Sequence, residues 1–339
     1  MNIKTKITKI HYNRNAKGLF FRVLKFLSLF YAVGSGVKNL LYDESIIKPK
    51  KVKAFVISVG NITTGGVGKT PVVSEIAKYF ITKGEKVAII SRGYGGALSN
   101  KQINVISDGK EVFYNAKLAG DEPYWLAQNT KGAIVITSKN RVAAANFAVE
   151  KFGVKKIILD DGLQHRKLHR DLDIMLIDSE KRFGNTKLLP AGPLREGREA
   201  FQRVDRVVIV SKNVDHTKAE KLAITTKKKM KVKTSVCYTE PAYTYNINNG
   251  EILPDNTEIV AISAIGQPSQ FYKFLSNFKI SKTVTFDDHH GYSKSDISKY
   301  DKPIVTTEKD AVKIKDFGLD NVYALKLKTK INVEELLHG

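Results

Sequence analysis

Few folds accommodate the run Val56-Ile57-Ser58-Val59-Gly60-Asn61-Ile62-Thr63-Thr64-Gly65-Gly66-Val67-Gly68-Lys69-Thr70-Pro71. An apolar β-type stretch, a glycine-rich turn and a helix start follow one another directly, which is the layout of a phosphate-binding loop. Its glycines let successive backbone N–H groups converge on phosphate oxygens, and the helix N-terminus adds its partial positive charge. The expected nucleotide-binding residues are Thr63, Thr64, Gly65, Gly66, Val67, Gly68, Lys69 and Thr70, with Lys69 reaching the terminal phosphates and the Thr70 hydroxyl binding Mg²⁺. Thr63 stands where such a loop usually has its first glycine, so the backbone freedom falls to Gly65-Gly66.

A loop of this kind belongs to a parallel sheet, and the chain supplies one. Short Val/Ile-rich runs at 54–59, 87–90, 133–137, 156–159, 174–177 and 207–210 alternate with helical stretches. Continuous apolar runs of this length indicate strands buried on both faces, hence an α/β fold with a P-loop NTPase-type parallel sheet core. A second alternation, with strands near 258–262, 282–286, 303–306 and 322–326, reads as a second, smaller α/β domain. The predicted organisation is a basic amphipathic segment over 1–45, the P-loop core over 46–236, a hairpin-like connector with Pro241 and Asn248-Asn249-Gly250 over 237–255, and the second domain over 256–339. The lysine run 227–233 lacks interleaved aromatics or Arg and reads as a solvated edge strand rather than a nucleic-acid patch.

A phosphate loop needs an acidic partner at the end of a neighbouring strand. Ile157-Ile158-Leu159-Asp160-Asp161 offers one, with Asp160 or Asp161 holding Mg²⁺ and Gln164 and His165 following at the strand's carboxyl end. Asp121 and Glu122, fixed between Gly120 and Pro123, form a second acidic pair, read either as a helix start or as a base with a metal-ordering neighbour. In the second domain Asp287-Asp288-His289-His290 presents a histidine suited to assisting that base. Arg92 and Arg195 are candidate clamps, because a guanidinium grips a phosphate through two hydrogen bonds.

Charge points the same way. The chain carries 56 Lys and Arg against 34 Asp and Glu, a net +22, so what it meets should be anionic. Residues 1–42 hold eight Lys or Arg and no acid, beside a Leu/Phe-rich stretch in which only 26–37 is free of charge. That span is too short to cross a bilayer, which needs about 20 apolar residues, and it predicts an N-terminal interfacial helix on an anionic leaflet. Packing on the protein's own core and a signal peptide are the competing readings. The single Cys237 permits neither an internal disulfide nor a cysteine-rich metal site.

Taken in order, these motifs resemble one family, the tetraacyldisaccharide 4'-kinases of lipid A biosynthesis in Gram-negative bacteria. The resemblance runs through Gly60-Asn61 to Thr70-Pro71, Ser91-Arg92-Gly93-Tyr94-Gly95, Gly120-Asp121-Glu122-Pro123, Asp160-Asp161-Gly162-Leu163-Gln164-His165, Leu189 to Glu196, and Thr307-Glu308-Lys309-Asp310-Ala311. It departs at Leu163, where many members carry Phe, and at Gly197, where Pro is common. The resemblance implies ATP and Mg²⁺ as cofactors and transfer of the γ-phosphate to the 4'-hydroxyl of a tetraacylated glucosamine disaccharide 1-phosphate. It implies Asp121 as the catalytic carboxylate and His289 as its partner, with Thr70, Glu122, Asp160 and Asp161 around the metal and Arg92, Arg195, Gln164 and His165 near substrate or phosphate. The implied place is the cytoplasmic face of the bacterial inner membrane, peripheral or monotopic, with an acylated disaccharide phosphate lipid and an anionic membrane surface as partners, no nucleic acid, and no obligate protein partner. The alternative reading is a membrane-peripheral P-loop ATPase or GTPase switch without an organic acceptor.

Overall fold

The computed structural model describes residues 3–100, 103–266, 268–287 and 290–338. The chain forms two compact units, one of Met1–Val210, Lys218–Cys237 and Ile331–Gly339, the other of Ser211–Thr217 and Tyr238–Lys330. In the first unit the strands are β1 (Phe55–Gly60), β2 (Val87–Ser91), β3 (Asn104–Asp108), β4 (Ile134–Thr137), β5 (Lys156–Asp160), β6 (Leu172–Asp178) and β7 (Arg206–Ser211), in the order β7-β6-β1-β5-β2-β4-β3. All neighbours run parallel except β3, which is antiparallel to β4. The helices are α1 (Ile3–His11), α2 (Leu19–Asp43), α3 (Lys69–Thr82), α4 (Ala116–Ala119), α5 (Asp121–Asn129), α6 (Arg141–Phe152) and α7 (Thr217–Met230).

Strand alternation explains the layers. Ile57 and Val59 of β1 and Ile158 of β5 pack with Val72, Val73, Ile76 and Phe80 of α3, while Val56, Ile157 and Leu159 point to the other face, against Ala144, Ala145 and Ala148 of α6. A sheet covered on both faces needs apolar residues at every position, and β1, β2 and β5 have almost nothing else.

The second unit holds the larger part of β8 (Lys233–Asn246) with β9 (Glu258–Ser263), β10 (Lys279–Thr285), β11 (Ile304–Thr307) and β12 (Val322–Lys330), ordered β10-β9-β11-β12-β8. The first four are parallel and β8 is antiparallel to β12. Helices α8 (Pro268–Phe274), α9 (Lys294–Ile297) and α10 (Glu308–Ile314) belong to this unit.

Three boundaries differ from the sequence expectation. The stretch 237–255 is no loose connector, because residues up to Asn246 continue a fourteen-residue strand. The predicted turn is present at its end, where Gly250 N donates to Asn246 O and takes φ +78°, and Pro241 sits beside the register shift that spares it a ladder donor. The last residues return to the first unit through α11 (Val333–His338), whose Val333 and Leu336 join the core under α3. Lys227, Lys228 and Lys229 close α7 instead of forming an edge strand, a place where positive charge opposes the negative end of the helix dipole.

Helix α2 also differs. Its uncharged stretch is short, but the helix runs unbroken for 25 residues, about 37 Å at 1.5 Å per residue. It is the helix among the described residues long and apolar enough to cross a membrane. One face, however, is occupied along its length by the first unit. Ser28 Oγ donates to Leu188 O (3.0 Å), Tyr31 Oη to Arg195 O (2.9 Å), Lys38 Nζ to Gln164 O (2.8 Å) and Asn39 Nδ2 to Glu196 Oε2 (3.0 Å). Leu24 and Tyr42 on this side are buried, whereas Phe26 (60% exposed), Phe30 (66%) and Val33 (66%) face outward with Leu19, Val37 and Leu40. A helix held in this way lies along the body of the unit.

Candidate active site

Four parallel strands deliver their motifs to one edge. The register pairs Val59 with Asp160, Ile90 with Leu159, and Ser91 with Thr137, so the turns after β1, β5, β2 and β4 emerge side by side. Carboxyl ends of parallel strands are where ligands bind in such sheets.

The phosphate loop is shaped by Gly65 and Gly68, at φ +104° and +98°, which no side-chain-bearing residue adopts without strain. Thr63 needs no such freedom: it is buried and extended in an antiparallel bridge with Leu194. The loop is braced from behind, since Thr64 N donates to Pro193 O (2.7 Å) and Arg195 N to Ile62 O (2.7 Å). Gly68 caps α3, leaving Lys69 and Thr70 in its first turn. Lys69 Nζ donates to Asn61 Oδ1 (3.0 Å) and lies 3.4 Å from Asp161 Oδ1.

The two aspartates after β5 differ sharply. Asp161, at φ +58°, accepts from Arg195 Nη1 at 3.0 and 2.8 Å. Burial alone would raise its pKa, but Lys69 and Arg195 outweigh burial and hold the carboxyl below the usual range. Asp160 is buried, and its Oδ1 has no hydrogen-bond partner. Burial, reinforced by Glu122 and Asp161 and opposed by Lys69 and Arg141, pushes its carboxyl up to about 7. An unpaired buried carboxylate oxygen near a second carboxylate suits a hard divalent cation. Among the described residues no three His, Cys, Asp or Glu side chains gather into a metal site.

Asp121 and Glu122 occupy the first turn of α5, with Gly120 as N-cap. They are brought to this edge by a crossing of two backbones: a Cβ at Gly96 would stand 2.6 Å from Gly120 N and 2.5 Å from Ala119 C, so only glycine lets the turn after β2 pass over the start of α5. That turn carries exposed Arg92. Gln164 is engaged at both ends, donating to Asn61 O (2.9 Å) and accepting from Arg195 Nη1 (3.3 Å), and so acts as a brace. For His165, burial and then Arg141, Lys38, Arg170 and Lys167 depress the pKa to about 4. It is neutral at pH 7, and its buried Nε2 has no hydrogen-bond partner. His289, and Asp288 before it, lie outside the described residues.

Arg141 was not singled out by the sequence. It opens α6 after β4, is buried, and donates from Nη1 to Ser138 O (2.8 Å), while its Nε has no partner. Burial and then Arg92 lower its pKa to about 10, opposed by Asp161 and Asp160. The available signal was position, the residue just past the carboxyl end of a parallel strand. Asn61, which holds both Lys69 and Thr63, is likewise explained only by contacts.

A parallel sheet whose central strand ends in a glycine loop and lysine, beside an acidic strand end and a helix start bearing two carboxylates, defines a P-loop phosphotransferase. Residues 20–338 match the family model for tetraacyldisaccharide-1-P 4'-kinase. A tetraacyldisaccharide 4'-kinase of Desulfotalea psychrophila is 36% identical over 94% of this chain and 95% of that protein, and one of Syntrophus aciditrophicus is 33% identical over 93% and 90%. The crystal structure of LpxK from Aquifex aeolicus in complex with ATP superposes with a TM-score of 0.76 at 33% identity, covering 94% of this chain and 97% of that one. The chain belongs to the tetraacyldisaccharide-1-phosphate 4'-kinase family.

Proposed function

We propose that this chain transfers the γ-phosphate of Mg-ATP to the 4'-hydroxyl of a tetraacylated glucosamine disaccharide 1-phosphate. The observation that carries the reading is the convergence on one strand edge of the Lys69 loop, the unpaired Asp160 carboxylate and the Asp121-Glu122 helix start, in a chain of this family. Lys69 and Arg141 neutralise charge on the phosphoryl group, and Asp121 accepts the proton of the attacking hydroxyl. Thr70, Asp160 and Glu122 would hold Mg²⁺, which when bound neutralises charge on the β- and γ-phosphate oxygens. Asp161 is engaged instead in fixing Lys69 and Arg195. His289 as helper of the base is carried by sequence alone.

The reading extends to place. The outward apolar stripe of α2, with Arg22 and Lys25 beside it, is suited to an anionic leaflet and an acylated substrate. A need for ATP as donor supports a leaflet that faces the cytoplasm. The test mixes the protein, Mg-ATP and the tetraacyl disaccharide 1-phosphate in detergent, and a lipid heavier by one phosphate is expected. Release of inorganic phosphate with an unchanged lipid would favour the nucleotide-switch alternative.

A further inference from the structure

Tyr12 precedes residues 20–338 that match the family, yet it touches the phosphate loop. Its hydroxyl donates to Thr64 O at 3.3 Å. The segment that carries it is held firmly: Asn185 donates from its backbone N to His11 O (2.8 Å) and from Nδ2 to Ile10 O (3.0 Å), and His11 Nε2 lies 3.0 Å from Pro190 O. Lys181 stands over the Tyr12 ring, 5.1 Å from its centre, and Asp178 fixes Lys181 by accepting from its backbone N (3.0 Å). Burial and Asp178 both raise the pKa of the phenol, so it remains protonated and able to donate.

The contact matters because of peptide geometry. In a trans peptide the carbonyl of one residue and the N–H of the next point in opposite directions. A Thr64 carbonyl held toward Tyr12 therefore turns Gly65 N–H to the other side of the backbone. Gly65 and Gly66 have no side chains with which to fix that plane, and Gly65 is in a region of φ where rotation is easy. Thr64 N is tied to Pro193 O, and Tyr12 supplies the restraint on the far side of the same residue.

We infer that Tyr12 is a positioning residue for the phosphate loop: its hydroxyl holds the Thr64–Gly65 peptide so that Gly65 N–H is available to a nucleotide phosphate. The role rests on reading Thr63–Thr70 as the nucleotide cradle. It makes the segment ahead of α2 part of the nucleotide site as well as the lead into the outward-facing helix.

Tyr12→Phe tests this, because it keeps the ring under Lys181 and removes only the donor. Loss of one neutral hydrogen bond predicts a KM for Mg-ATP, and a Kd for a fluorescent ATP analogue, raised about two- to tenfold, with the KM for the lipid acceptor and the melting temperature unchanged. Unchanged nucleotide affinity in Tyr12→Phe, with affinity lost in Lys69→Ala, would overturn the inference alone. Wild-type nucleotide binding by Lys69→Ala would overturn the cradle and the inference together. A parallel loss for ATP, acceptor and thermal stability in Tyr12→Phe would also overturn it, since that is the mark of general packing.

Discussion

The carboxyl edge of the first unit's sheet and the outer face of α2 break the ordinary rule of burial in opposite ways. At the edge, charged groups are taken out of water: Asp160 and Arg141 are buried, and Asp161, Lys69 and Arg195 are bonded to one another. On α2, Phe26, Phe30 and Val33 stay in water although the helix has another face already packed. Burying charge is costly unless it is paired, and exposing a contiguous apolar patch is rare without a partner. The edge is completed largely from within, with Asp160 Oδ1, Arg141 Nε and His165 Nε2 left over, whereas the stripe has no internal partner among the described residues. Under the proposed function, the first region carries the chemistry and the second the location.

The comparison breaks if the two regions are not separable. Asp121→Asn strikes the edge, and loss of a positioned base should lower kcat by about 10²- to 10⁴-fold with nucleotide affinity and vesicle binding intact. Steady-state kinetics and sedimentation with anionic vesicles check this, and near-normal turnover would remove Asp121 from the role. The converse double change, Phe26→Ser with Phe30→Ser, strikes the stripe. Burying a Phe side chain contributes about 1.5–3 kcal/mol, so vesicle binding should fall tenfold or more while the KM for Mg-ATP stays put. Unchanged sedimentation would show that the stripe is not a docking face.

The smallest effect sharpens the electrostatics of the edge. The folded-state pKa of His165 is depressed to about 4 from 6.5. Between those values the unfolded chain binds a proton that the folded chain refuses, so stability is lost as pH falls from about 6.5 toward 4. His165→Gln should flatten that part of the profile, read as a melting temperature that changes less than wild type between pH 6.5 and 4. An identical slope would mean that His165 is not held neutral by its surroundings.

How much of this was legible depended on whether the information is local. The phosphate loop is a contiguous strand, turn and helix start, and the β5 acids follow a contiguous apolar run, so both can be read residue by residue. The division of labour between Asp160 and Asp161 cannot, because it is set by Lys69 and Arg195, which approach from elsewhere in the chain. Arg141 is silent for the same reason, its meaning arising only when β4 aligns with β2. Strand β8 was hidden by Pro241 within it and by the lysine run just ahead of it, and α11 by its brevity, since six residues bury too little to be distinctive alone. Charge at Arg22 and Lys25 limited the uncharged stretch to 26–37 and pointed to an interfacial helix too short to span a bilayer. The structure instead extends the helix on both sides of the uncharged stretch, because its polar groups find partners on loops far along the chain.

The most direct measurement is a crystal structure with Mg²⁺ and a non-hydrolysable ATP analogue. The account predicts the triphosphate along Thr63–Thr70, Mg²⁺ against Asp160, Asp161 still on Arg195, and Asp121 facing the terminal phosphate with room for an acceptor hydroxyl. A triphosphate bound away from that loop, or Asp121 turned from it, would contradict the assignment of chemistry to this edge.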